Sequence, residues 1–333
     1  MKRILLIFLV IICNSLLSQT FYKIPFAHTY SIVAVDSVTG EIGAAVQSHW
    51  FSVGSDVIWA EAGVGAVATQ SFINVSFGPR GLQLLKQGKS PEQALKTLLD
   101  GDEGRDFRQV AIIDAKGNSV SYTGQKCIPA AGNINKKYYS VQANLMLNDK
   151  VWPAMEQAFT ITKAPLAERL IAALEAAQNA GGDIRGRQSA AILVVKGKST
   201  GNIWEDRLID LRVEDNPQPV KELKRLLRVF RAYQHMNAGD LAVEKGDEEG
   251  ALHEYGAAEE MFPQNLEMKY WHAVSLVNMG KLEEALPLFK EIFQEDTNWK
   301  TLTPRLVPIG LLNASEQQIK KILQQYVKEK DSN

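Results

Sequence analysis

Along the first two thirds of the chain, short apolar runs alternate with turn residues. Ile32, Val33 and Val35 form one run, residues 36–40 supply turn chemistry, and residues 42–46 form the next. Residues 28–48 therefore read as a β-hairpin whose Val, Ile and Tyr suit a pleated, half-buried surface. Further strands are expected over 57–61, 64–70, 109–114, 119–123, 138–145, 189–195 and 208–213. On the strand over 138–145, the two-residue period puts Gln142 and Asn144 on one face.

Helical spacing takes over in two places. Leu82, Leu84 and Leu85 lie in a helix over 78–87, and Ser90-Pro91-Glu92-Gln93 opens the next with an N-cap, a proline at the first position and a capping box. A second pair is expected over 150–159 and 166–178, the latter apolar at Leu166, Leu170, Ala173 and Leu174. Strands, two helices, strands, two helices, strands is the order of an α+β fold, with antiparallel sheet and helices grouped on its faces.

At residues 215–219 the character changes, and from Val220 onward the chain reads as helical and free of strands. Gly246-Asp-Glu-Glu-Gly-Ala251-Leu252 recurs as Gly280-Lys-Leu-Glu-Glu-Ala285-Leu286, with Tyr255 answered by Phe289. That offset of 34 residues is the tetratricopeptide period, so residues 215–333 read as an all-α, tetratricopeptide-like helical domain. Pro263 breaks the helices where such a unit turns, and helices over 220–236 and 315–328 would cap the stack.

Composition narrows the field. Residues 1–19 carry Lys2 and Arg3, an apolar run over 4–12 and small or polar residues near a cleavage site, the grammar of a secretory signal peptide. The run is too short to span a bilayer, and no later segment is apolar enough; an exported protein, periplasmic or extracellular, is expected. A net charge of −1 over 333 residues does not favour nucleic acid or an anionic membrane as partner. Of two cysteines, Cys13 lies in the leader, and Cys127 reads as a small buried residue. Five scattered histidines give no metal-ligand spacing, and no cofactor is implied. Gly63-Val-Gly65-Ala-Val-Ala68 matches a dinucleotide fingerprint by letters, but no helix start or closing acidic residue follows; the glycines read as a bend and a close approach.

Thr29 opens the first strand of the hairpin. A chain cut before it would give this threonine a hydroxyl nucleophile and a free amine to activate it. Arg80 and Arg185 are cations that would suit a substrate carboxylate.

Several segments together resemble one family. HTYSIVAVDSVTGEIGAAVQS (28–48), AGVGAVATQ (62–70), FGPRGLQLL (77–85), TGQKCIPAAG (123–132), YSVQANLM (139–146) and GGDIRGRQSAAILVV (181–195) are similar to the domain of unknown function 1028 family, assigned to the N-terminal-nucleophile hydrolase superfamily. The resemblance covers about residues 29–213 and implies a four-layer αββα sandwich over residues 20–214. It also implies Thr29 as nucleophile with its own α-amine as base, and backbone N–H groups of glycine-rich turns as oxyanion donors. His49 would tune the amine, and Asp36, Gln70, Asn144 and Asp183 would line the cleft.

Two functions follow as expectations. The first is an exported amidohydrolase acting on a small-molecule or peptide amide. The second is a non-catalytic envelope scaffold on the same sandwich, binding peptidoglycan or a protein through the helical domain. Either is compatible with a homo-oligomer.

Overall fold

The computed structural model describes residues 26, 27 and 29–326. The expected leader over 1–19 and His28 lie outside them. The chain divides into two compact units, one ending at Lys224 and the other beginning at Arg225.

The opening hairpin forms as β2 (Thr29–Val35) and β3 (Ile42–Ser48), in register from Thr29 opposite Ser48 to Val35 opposite Ile42. Both strands are buried on both faces rather than half-buried. They are central in a six-stranded antiparallel sheet ordered β11-β10-β3-β2-β9-β8. Its other strands are β8 (Gly132–Lys136), β9 (Tyr139–Ala143), β10 (Ser189–Val195) and β11 (Arg207–Val213).

The second sheet contains β1 (Phe26–Ala27), β4 (Ile58–Glu61), β5 (Gly65–Phe72), β6 (Arg108–Asp114) and β7 (Ser119–Thr123). One edge of β5 is shared: β4 pairs with its first half and β1 with its end, Ala27 opposite Ser71. Gly65 carries no side chain because a Cβ there would sit 2.1 Å from the Ile113 carbonyl oxygen, which accounts for the glycine without a nucleotide.

Each sheet carries a helix pair on its outer face. α1 (Phe77–Lys86) and α2 (Pro91–Asp100) bury Phe77, Leu82, Leu85, Leu95 and Leu98 against Val67, Val110 and Ile112. The capping box of α2 forms as expected, Ser90 Oγ accepting from Gln93 N at 3.3 Å and Gln93 Oε1 from Ser90 N at 2.9 Å. α3 (Val151–Ile161) and α4 (Leu166–Asn179) cover the six-stranded sheet, and Leu170 of α4 packs so close to Gly43 that a Cβ there would meet it at 2.7 Å. The inner faces meet in an apolar layer that includes Val33, Val35, Ile42, Ala44, Ala66, Ala68, Ala111 and Ile113.

Two elements escape the hydrophobic pattern. β8, Gly-Asn-Ile-Asn-Lys, is an edge strand whose asparagines bond side chains of β7, Asn133 Nδ2 to Thr123 Oγ1 at 2.7 Å and Ser121 Oγ to Asn133 Oδ1 at 2.9 Å. A seam between sheet edges wants amides rather than apolar side chains, so no alternation appears. α5 (Ile203–Asp206) is a single helical turn before β11, between the expected turn over 196–201 and the expected strand from 208.

The second unit is helical. α6 (Pro219–Glu244) begins in the first unit and runs beyond the expected stop at 236 because nothing breaks it before Gly246. α7 (Glu248–Met261), α8 (Leu266–Asn278), α9 (Leu282–Glu295), α10 (Thr297–Leu302) and α11 (Glu316–Leu323) follow. The sequence repeat is a structural repeat. Gly246 and Gly280 take left-handed φ of 71° and 73°, Ala251 and Ala285 are buried, and so are Tyr255 and Phe289. α11 ends at Leu323, short of the expected 328, with Ser315 and Gln318 forming its capping box.

Candidate functional site

The layer between the sheets changes character along its length. Inward positions of β2 run Val35, Val33, then Ser31 and Thr29; β3 runs Ile42, Ala44, Val46, then Ser48. Near the end of β5 stands Gln70, second in β6 is Gln109, and β10 begins with Ser189. Each strand thus turns polar at the same end of the sandwich, and all of these polar residues are fully buried. Buried amides and hydroxyls are tolerated only when they bond one another, so that end must be a network.

It is one. Gln70 Nε2 donates to the Thr29 carbonyl oxygen at 3.0 Å and to Gln109 Oε1 at 2.7 Å, while its Oε1 accepts from Ser31 Oγ at 2.6 Å. Asn144 donates to the same Thr29 carbonyl from its backbone N at 3.1 Å and to Gln109 Oε1 from Nδ2 at 2.9 Å. Gln109 Nε2 in turn donates to Thr123 Oγ1 at 2.8 Å and the Ala143 carbonyl at 2.9 Å. Thr29 Oγ1 donates to Ser48 Oγ at 3.2 Å. Gln142 reaches across to the Ala68 carbonyl at 3.1 Å, which agrees with its shared face with Asn144.

Two residues that hold the Thr29 carbonyl are followed by strained backbone. Ser71, after Gln70, has φ of 71°, and Leu145, after Asn144, has φ of 57°. Non-glycine residues in this region cost of order 1–3 kcal/mol and persist where surrounding bonds over-determine them.

At the rim, Asp183 accepts from Arg185 Nε at 3.0 Å, Arg185 Nη2 at 2.6 Å and the His49 backbone N at 3.2 Å. The guanidinium of Arg185 is therefore engaged by a neighbouring carboxylate. His49 follows Ser48 directly, and its buried Nδ1 has no hydrogen-bond partner among the described residues.

Of the sequence-predicted residues, the structure brings together Thr29, Gln70 and Asn144, with His49, Asp183 and Arg185 linked to one another beside Ser48. Asp36 is not there. It sits at the opposite end of β2, where Oδ1 caps the turn from Val38 N and Thr39 N at 2.8 and 3.0 Å and Oδ2 meets Arg169 Nη1 at 3.3 Å. Arg80 is not there either; it lies exposed on α1, on the outer face of the other sheet. Cys127 is buried with Sγ against the Arg108 carbonyl at 3.3 Å, and burial pushes its thiol up, away from the thiolate a nucleophile needs. Among the described residues no three His, Cys, Asp or Glu side chains are grouped to hold a metal ion.

Sequence reasoning passed over Ser31, Ser48 and Gln109. The signal was available: a Ser or Gln at an inward position of an otherwise apolar strand, repeated on several strands. Only the pairing register shows that these positions face one another.

The fold and site define an α+β domain of two antiparallel sheets with a polar, hydrogen-bonded end between them, followed by a helical repeat. The chain belongs to the family described as a family of unknown function, DUF1028, which matches residues 29–223. A crystal structure of a DUF1028-family protein from Silicibacter pomeroyi is 31% identical, with a TM-score of 0.55, covering 60% of this chain and 84% of that one. Anbu, an ancestral β-subunit from Yersinia bercovieri, aligns at 12% identity and a TM-score of 0.29 over 61% of this chain and 97% of that one, a likeness too slight to bear on the fold. No curated protein matches the chain.

Proposed function

We propose that the first unit is an exported amidohydrolase of the N-terminal-nucleophile type, with Thr29 freed as the chain terminus by scission of the bond to residue 28. The observation that carries this reading is a change of sheet. Ala27 pairs with Ser71 in one sheet and Thr29 with Ser48 in the other, so the chain crosses between sheets within two residues. Thr29, the first residue of β2 after that change, has its hydroxyl on Ser48 and its carbonyl held by Gln70 and Asn144.

After scission Thr29 keeps its carbonyl bonds, which fix the new terminus. Its hydroxyl would attack an amide carbonyl, pass its proton to the α-amine, and the amine would protonate the leaving nitrogen; water would then hydrolyse the ester. An α-amine titrating near ~7.7–8.0 suits that task. The helix pair outside each sheet is the layer order of an αββα sandwich, which supports assignment to that superfamily. The repeated helix–turn–helix of the second unit supports a tetratricopeptide-like module for a peptidoglycan or protein partner. Export rests on the grammar of residues 1–19.

A non-catalytic scaffold draws on a different observation: Thr29 is fully buried and tied into the hydrogen-bonded network. Intact mass of the exported protein decides. A chain beginning at Thr29, abolished by Thr29→Ala and retained by Thr29→Ser, supports the hydrolase. A chain beginning near residue 19 or 20, unchanged by either variant, excludes it.

A further inference from the structure

One edge of the six-stranded sheet is open. β11 pairs with β10 from Val213 opposite Ala190 to Ile209 opposite Val194, and among the described residues no strand lies along its other side. The far edge differs, because the asparagines of β8 bond side chains of β7. An edge strand offers unpaired N–H and C=O groups to any further strand, and short length or a proline commonly blunts it. β11 is seven residues long and holds no proline.

Its residues are self-complementary. Reading outward from Leu211, Asp210 answers Arg212, Ile209 answers Val213, and Arg207 answers Asp215 just beyond the strand. Two such strands, antiparallel about an axis at Leu211, would set each charge opposite its counter-charge and each apolar residue opposite another. The neighbouring registers do not. An axis at Asp210 or at Arg212 would set that residue against its own copy, carboxylate on carboxylate or guanidinium on guanidinium. The side chains are placed for the favoured register. Asp210 and Arg212 share one face of the strand, and Ile209, Leu211 and Val213 share the other with Ile192 and Val194 of β10. Arg212 Nε meets Asp210 Oδ1 at 3.2 Å, which uses one of five guanidinium donors, and its side chain is 40% exposed.

We propose that β11 pairs with the β11 of a second copy of this chain, antiparallel about a two-fold axis at Leu211, so that two six-stranded sheets continue as one. The axis stands normal to the sheet, which keeps the helix-covered faces of both copies on the same side. A second copy fits better than a foreign strand because the pattern is its own complement. In a two-fold interface residue i meets j and j meets i, so each favourable pair is made twice. Asp210 of each copy meets Arg212 of the other, Ile209 meets Val213, and the two Leu211 side chains meet at the axis.

The test is analytical ultracentrifugation of the exported full chain over a series of concentrations, at low and at high salt. A reversible monomer–dimer equilibrium is expected, shifted toward monomer by salt because the charge pairs lie at the surface. Asp210→Arg and Arg212→Asp each turn both crossings repulsive, and each alone should weaken dimerisation by about tenfold or more. The two single variants mixed together should associate with one another, since a mixed pair restores opposite charges at both crossings. Exposed ion pairs add little to stability, so a melting temperature close to that of the parent chain verifies that both variants fold. A chain that stays monomeric at every concentration, single variants that dimerise as the parent does, or a mixture that fails to pair would each overturn the proposal.

Discussion

The side-chain amide of Gln70, on one sheet, donates to the main-chain carbonyl of Thr29, on the other, at 3.0 Å. This bond joins the sheets where their apolar packing stops. Below it lie Val33, Val35, Ala66 and Ala68; at its level every inward residue is an amide or hydroxyl. A cross-sheet polar network gives directional contacts that apolar packing lacks, so it sets where the first residue of β2 sits.

Gln109 is the hub of that network, because its Oε1 accepts from both Gln70 and Asn144. Gln109→Leu removes the Oε1 that accepts from Gln70 and Asn144 and the Nε2 that donates to the Ala143 carbonyl, all in a buried site. Urea unfolding should show a loss of about 2–4 kcal/mol. Adding Gln70→Leu should cost less than the sum of the single changes, since the two share bonds.

Asp36 belongs to the turn and not to the Thr29 end, so Asp36→Asn should leave the terminus and any activity at Thr29 unchanged. Burial pushes its carboxyl up, but hydrogen bonds from Thr39 and Val38 and the charge of Arg169 outweigh it and hold the group below its usual value. The folded chain therefore binds this proton less readily than the unfolded chain. Its stabilisation is complete above the unfolded value near ~3.9 and is lost as pH falls through the lower folded value. Asp36→Asn should cost about 1–2 kcal/mol at neutral pH. It should also make the acid limb of stability against pH shallower, as denaturation at successive pH values would show.

The Cys127 thiol is 8% exposed as a residue and raised by burial. Alkylation of the native protein by iodoacetamide, followed by peptide mass mapping, should leave Cys127 unmodified until denaturant is added. Rapid native labelling at Cys127 would contradict its placement.

Arg108 sits beside Gln109 and ties the end of β5 to the loop after α2. Its Nε and Nη2 meet Asp102 at 2.7 and 3.2 Å, Nη1 meets the Phe72 carbonyl at 2.5 Å, and the two side chains are 7% and 11% exposed. Arg108→Met strands the Asp102 charge in a low-dielectric site. Chemical denaturation should report a loss of about 3–5 kcal/mol, and Arg108→Met with Asp102→Leu should recover much of it.

By itself the amino-acid sequence determined the local elements: the hairpin from 28 to 48, the capping box at Ser90, the helix pairs and the 34-residue repeat at Gly246 and Gly280. Those features rest on periodicity and backbone preference, which act within a few residues. Thr29, Gln70 and Asn144 were legible as candidates, and the register brings them to one carbonyl. Tertiary structure alone decided that Gln109 joins them, that Asp36 and Arg80 lie elsewhere, and that Asn133 and Asn135 make an edge strand. Each of those depends on pairing between strands far apart in sequence, and a single-residue slip of register would turn the same side chains to the opposite face. The pairing of Ala27 in one sheet and Thr29 in the other is of this kind: no composition marks it, because it exists only once both sheets have formed.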